Sequence, residues 1–182
     1  ILWMQALTRG WNSTIYGVCY FAGCVWVALA AVYGIAMILK RTGELDGVLR
    51  ERQFHDLGTL LLAFTVFHAY LEFSQYFILW NANLPAETRW YAARETGGWQ
   101  SIGLTIVVGH FLLPFLALLR SDVKRRFAWM APLCVWVLLL HYVDMAFNVL
   151  PGVSPAGFPW TWTWLHLACL ALIGGVLARV FL

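Results

Sequence analysis

Five long apolar runs dominate the chain, and this feature most constrains what it can fold into. Each run exceeds the roughly 20 residues that a helix needs to cross a hydrocarbon core about 30 Å thick, at about 1.5 Å per residue. We therefore predict an all-α transmembrane protein with five membrane-spanning helices, named spans A to E. Their approximate bounds are 15–39, 57–80, 99–119, 127–150 and 160–182.

The composition supports a membrane protein and excludes other classes. Charged residues make up 12% of the chain, whereas soluble domains carry about 25%. The formal net charge of +3 is too small and too scattered for binding nucleic acid. The four cysteines lie inside apolar runs without a C-x-x-C pair. We therefore predict neither a zinc nor an iron–sulfur site, and no metal ligands.

The segments between the spans are short, so we predict one transmembrane domain over residues 1–182. Residues 85–98 are amphipathic and are expected to lie along the membrane surface, whereas residues 42–56 form a polar loop. Pro114 is expected to kink span C. Because the chain begins at Ile1 and shows no signal-peptide pattern, we expect it to be part of a longer protein.

The distribution of Lys and Arg predicts the orientation. Since cytoplasmic loops carry the excess of these residues, the chain's N-terminal end is predicted to be periplasmic and its C-terminal end cytoplasmic. The expected periplasmic side holds Arg9, Arg89 and Arg94. The expected cytoplasmic side holds Lys40, Arg41, Arg50, Arg52, Arg120, Lys124, Arg125, Arg126 and Arg179.

Ionisable side chains inside the spans are the candidate functional residues, because a charge within lipid is costly and usually functional. Span B carries His68, Glu72 and Gln75 at positions i, i+4 and i+7, which share one helix face. Span D carries His141 and Asp144, three residues apart and again on one face. The helix rise places the titratable groups roughly 9 to 18 Å from the periplasmic ends of their helices. They are His68, Glu72, His110, His141, Asp144 and His166.

Three hypotheses account for this polar half-membrane set. In the first, these residues line a cavity that is open to the periplasmic side, in which carboxylates and imidazoles release protons or bind a quinol head group. Alternatively, the polar residues only lock the helices together. A third hypothesis is a haem, with His68 and His141 as candidate axial ligands.

Several motifs, in order along the chain, resemble one bacterial family. They are Ser13-Thr14-Ile15-Tyr16-Gly17, the stretch 68–91 with Phe73-Ser74-Gln75-Tyr76 and Asn83-Leu84-Pro85, Gly109-His110-Phe111, and His141-Tyr142-Val143-Asp144. The chain is similar to the second NrfD-like (polysulfide-reductase-type) quinone-binding-type membrane subunit of alternative complex III, the ActF type. The resemblance implies a ten-helix protein, of which this chain would be the C-terminal half: a four-helix bundle plus one further helix.

The resemblance also implies partners and a location. The complex would be a respiratory quinol:cytochrome c oxidoreductase in a bacterial cytoplasmic membrane. Its other parts would be a sister NrfD-like subunit, an iron–sulfur subunit, multihaem and monohaem cytochromes c and, in some complexes, a terminal oxidase. The haem and iron–sulfur clusters would belong to these partners, and quinol would be the one candidate cofactor here. The implied polar path comprises Glu72, Ser74, Gln75, His141 and Asp144.

We thus predict a non-haem membrane subunit whose polar residues serve proton transfer or quinol binding, without catalysing a reaction alone. The alternative is an assembly scaffold in the same kind of complex, and a b-type cytochrome is the third. The predicted proton path or quinol pocket comprises His68, Glu72, Ser74, Gln75, His110, His141, Asp144 and His166.

Overall fold

The computed structural model describes residue 11 and residues 13–44, 48–155 and 157–181. Within these residues the protein is all-helical and has no strand. Five helices are long and apolar enough to cross a membrane, which confirms the predicted number of spans. By length and composition the chain is therefore a multi-pass membrane protein. Spans A to E are Tyr16–Thr42, Glu51–Ala82, Gly98–Leu119, Phe127–Gly152 and Trp160–Val180.

Spans A to D pack as a four-helix bundle. Span A contacts spans B and D, and span C also contacts spans B and D, so the four helices surround one core. Trp26, Leu61, Met130 and Val137 are fully buried in that core. Span E lies apart, since no residue of its most apolar 18-residue window is buried. Its outer surface must therefore meet lipid or another protein.

The two ends of the bundle differ in chemistry. One end, here called the Trp-rich end, includes residues 11, 13–16, 82–98, 150–155 and 157–160. Trp11 stacks on Trp90 there, with ring centroids 4.7 Å apart. The other end, here called the basic end, includes residues 40–44, 48–52 and 119–127. The basic residues therefore lie mainly at one end, as the predicted orientation requires, but which end faces the cytoplasm stays a prediction. Arg9, one of the three charges predicted on the periplasmic side, lies outside the described residues.

Arg94, which lies in the segment predicted to be amphipathic, is buried. It follows the surface helix Pro85–Ala92 and is only 4% exposed. Its guanidinium donates hydrogen bonds to the carbonyls of Phe147 (3.0 Å), Asn148 (2.8 Å) and Trp90 (2.7 Å). Burial lowers the pKa of Arg94 to about 10, so the group stays charged at neutral pH. Arg94 therefore clamps this loop onto the end of span D.

Lys124 is likewise buried rather than exposed, in the short helix Ser121–Arg125 at the basic end. Its Nζ donates to Thr59 Oγ1 (3.3 Å), and its carbonyl accepts a hydrogen bond from the Tyr33 hydroxyl (2.6 Å). The stem of Lys124 packs against Gly58, where a Cβ would come within 3.0 Å of it. The predicted basic turn is thus packed against spans A and B.

Span B begins at Glu51, about two turns before the predicted start at residue 57. The side chain of Gln53 accepts a hydrogen bond from the backbone N–H of Arg50 (2.6 Å), which stabilises this early start. The helix therefore extends beyond its apolar run into the segment that was predicted as a polar loop.

Span C contains a π-helical turn over Val107–Leu112, directly before Pro114. Proline has no N–H, so the carbonyl four residues earlier cannot be paired in the normal helical way. Where the kink was predicted, span C thus has a π-helical turn, which contains more residues than a regular α-helical turn. Trp136 Nε1 donates to the Gly109 carbonyl inside that turn (2.8 Å). This turn places His110 in the bundle core, where it is 5% exposed.

We predict that Trp136→Phe lowers the free energy of unfolding by about 1 kcal/mol, because the Gly109 carbonyl loses its indole donor. The measurement is the thermal unfolding midpoint of the protein in detergent. Trp129→Phe is the matched control on the same helix, since Trp129 is 62% exposed. Equal effects of the two substitutions would contradict the role given to Trp136.

Candidate functional site: a histidine and carboxylate cluster

Three histidines from three different spans meet in the centre of the bundle. The rings of His68 and His110 have centroids 4.9 Å apart, and those of His110 and His141 are 6.5 Å apart. His68 and His141 pack beside span A at Gly23, where an added Cβ would lie 3.3 Å from Cε1 of both rings. The absence of a side chain at Gly23 therefore lets two imidazoles approach this helix.

Asp144 joins the histidines from span D. Its Oδ2 lies 3.9 Å from Nε2 of His68, which is within ion-pair range but too long for a hydrogen bond. Asn148, one turn further on, donates to the Asp144 carbonyl (2.9 Å) and to Oδ1 (3.4 Å). Asp144 is only 6% exposed. Its side chain is therefore held in place within the bundle, facing span B.

Glu72 and Gln75 extend the cluster toward the Trp-rich end. The thiol of Cys19 donates to Gln75 Oε1 (3.4 Å), and Glu72 lies close enough to interact electrostatically with both Cys19 and Asp144. Glu72 is half-buried, unlike Asp144. Gln75 also lines a groove of about 230 Å³ together with Ser13, Thr14, Ile15, Ile78, Leu79 and Glu87. The polar residues thus run from the bundle centre to a surface groove.

Three imidazole nitrogens of the cluster lack a hydrogen-bond partner within the described part of the chain. They are His68 Nδ1, His110 Nε2 and His141 Nδ1, all buried. Buried polar atoms are nearly always hydrogen-bonded in proteins, and an exception requires an explanation. A purely structural set of interhelical contacts would be expected to satisfy these atoms.

Two of the predicted site residues lie elsewhere. His166, on span E, is bonded through Nδ1 to the Tyr142 hydroxyl (2.7 Å), on the outside of the four-helix bundle. Ser74 is half-buried, but it lies about 120° around span B from His68, because six residues do not complete whole helical turns. The structure therefore brings together His68, Glu72, Gln75, His110, His141 and Asp144 and leaves these two out.

The face of span A was missed as part of the site. Trp26 packs on the His110 ring with centroids 4.1 Å apart, and its Nε1 donates to Thr65 Oγ1 (2.7 Å). Cys19, Gly23 and Trp26 follow the same i, i+4, i+7 spacing that marked the polar face of span B. That spacing could have identified the face of span A that packs on the site. The search for ionisable side chains did not find it, because none of these three residues is usually charged.

Comparisons with known proteins do not assign this site. No protein-family model matches the chain, and no curated protein matches it. Its chemistry therefore has to be derived from the residues themselves.

We predict that Gly23→Ala disturbs the cluster while Gly34→Ala does not. In an exposed helix, Ala is more favourable than Gly by about 1 kcal/mol. At Gly34 the nearest atom to an added Cβ is 4.0 Å away, so the substitution should raise the unfolding midpoint. At Gly23 both imidazoles must shift, so this gain should be absent or reversed. A similar increase for both variants would show that the histidines do not pack tightly on span A.

Proposed function

We propose that the chain is a non-haem membrane subunit of a bacterial respiratory quinol-oxidising complex, and that its buried cluster transfers protons to or from the Trp-rich end. One observation carries this proposal: three spans bring three imidazoles and two carboxylates into one cluster that continues to a surface groove. Both kinds of group can bind and release a proton near neutral conditions when their surroundings adjust their affinity.

The cluster offers a stepwise route. Glu72 is half-buried and precedes Gln75, which lines the groove, by about one helical turn, so it is the natural group to exchange protons with water. Its charge interacts with Asp144, and Asp144 faces Nε2 of His68. An imidazole can take a proton on one nitrogen and lose one from the other. The route therefore leads from the groove through the carboxylates to His68, and on to the rings of His110 and His141.

The route reaches only part of the way across the bundle. Between the cluster and the basic end, the described core is filled by apolar or aromatic side chains such as Tyr33, Met130 and Val137. Protons would therefore be exchanged with one side of the membrane, which on the predicted orientation is the periplasm. This is the side on which a quinol-oxidising complex releases protons if its quinol site faces outward.

The packing favours proton transfer over a cofactor at the cluster itself. His110 is in ring contact with both Trp26 and His68, so a macrocycle would have to displace these rings. A quinol ring would meet the same obstacle, whereas a proton or a water molecule would not. Quinol binding in a partner subunit is compatible with this arrangement.

The family resemblance supports the proposed setting. A four-helix bundle with a fifth helix beside it is the arrangement that an NrfD-like C-terminal half would have. The exposed surface of span E then suits contact with a partner such as the sister NrfD-like subunit. The iron–sulfur subunit and the cytochromes c would carry the electron-transfer groups.

The test is to replace each carboxylate by its amide in the intact complex. We expect Glu72→Gln and Asp144→Asn to lower quinol-dependent turnover or proton release by about 100-fold, the scale on which a general acid or base contributes. The complex should still assemble, because the amides keep the size of the side chains. The matched controls are Glu95→Gln and Asp122→Asn, whose carboxylates are exposed.

A scaffold role predicts a different pattern. In that case the same two substitutions would reduce the amount of assembled complex and leave turnover per assembled complex unchanged. Wild-type turnover and proton release in both variants would refute the proton-transfer function.

A further inference from the structure

Three side chains of the cluster stand close enough to share one ion. His68, His110 and Asp144 each offer a ligand atom, and these atoms all lie within 4.8 Å of one another. Each of the three residues is at most 6% exposed. We propose that His68, His110 and Asp144 bind a divalent transition-metal ion, of the Zn²⁺ class, in the centre of the bundle.

The donor set is chemically suitable. Two imidazoles and one carboxylate are common ligands for zinc and for iron(II). Metal bonds of about 2.1 Å place tetrahedral ligand atoms about 3.4 Å apart. The three atoms would therefore have to approach one another by at most about 1.4 Å, which rotation of side chains can supply. For one pair the required approach is smaller, because Asp144 Oδ2 and His68 Nε2 are already 3.9 Å apart.

The unpaired nitrogens are an independent indication of a ligand. His110 Nε2 is buried and has no hydrogen-bond partner in the described part of the chain. His68 Nε2 faces the Asp144 carboxylate at a distance that is too long for a hydrogen bond. A neutral imidazole nitrogen in this state presents its lone pair to a metal without first breaking a hydrogen bond.

The charge of the site also balances. An uncompensated divalent ion within a membrane-spanning bundle would be very costly. Asp144 supplies one negative charge, and Glu72, whose charge interacts with it, supplies a second. The two carboxylates together neutralise a divalent ion without any further group.

Occupancy would have a functional consequence, which rests on the proposed proton transfer. The ion would use the same nitrogens and carboxylate that carry protons in that proposal. Bound Zn²⁺ should therefore slow proton transfer, whereas binding itself does not depend on the proposed function.

The experiment is a titration of the metal-free purified protein with Co²⁺ and Zn²⁺. We expect one ion per chain, with a Co²⁺ visible spectrum typical of nitrogen and oxygen ligands and a rise in the unfolding midpoint with Zn²⁺. His110→Gln and Asp144→Asn should each weaken binding by at least about tenfold. His166→Gln is the matched control and should bind as the wild type does, because His166 lies outside the cluster.

Two results would overturn the metal site: no binding by a folded wild-type protein, or binding that is lost in His166→Gln and kept in the cluster variants. A variant that fails to fold is replaced by His68→Gln, with the same readout. The two proposals fail separately. Metal binding by the wild type, together with normal turnover in Asp144→Asn, would refute proton transfer alone. Slow turnover in Glu72→Gln, together with no metal binding by the wild type, would refute the metal site alone.

Discussion

Inside a bilayer, a polar group must find its partner within the protein, and the rest of this structure depends on that constraint. The indole of Trp26 bonds to Thr65, whose hydroxyl returns to the Leu61 carbonyl (2.8 Å). The Tyr33 hydroxyl reaches the backbone of Lys124. These contacts satisfy polar groups locally and tie span A to its neighbours. Against this background, three unpaired imidazole nitrogens in one place distinguish the cluster from ordinary interhelical packing.

The position of His110 illustrates how one residue type shapes the site. Pro114 removes a backbone donor, span C widens into a π-helical turn, and the indole of Trp136 supplies a donor within that turn. In a regular helix the side chains before Pro114 would be rotated to different positions around the axis. The irregularity therefore brings an imidazole from span C between those of spans B and D.

Much of the fold and part of the site could be predicted from sequence, for physical reasons. Apolar run length identifies spans, and the spacing of His68, Glu72 and Gln75 identifies one helix face, because both depend on local geometry. The spacing does not reveal which helix faces which. The cluster could therefore be assembled only from tertiary packing, and His166 was assigned to it by depth alone. The burial of Arg94 and Lys124 could not be predicted, because the carbonyls of Phe147 and Asn148 and the hydroxyl of Thr59 are distant from them in sequence.

The apolar layer between the cluster and the basic end has an electrical consequence. A transmembrane voltage falls across the weakly polarisable interior of a protein, which here includes the layer around Met130 and Val137. Moving one elementary charge through the full potential costs about 2.3 kcal/mol per 100 mV. A proton that stops at His68 has this layer still ahead of it, so it has done only the part of that work that lies between the Trp-rich end and the bundle centre. The protonation of the groups in the cluster therefore depends on the membrane voltage as well as on pH.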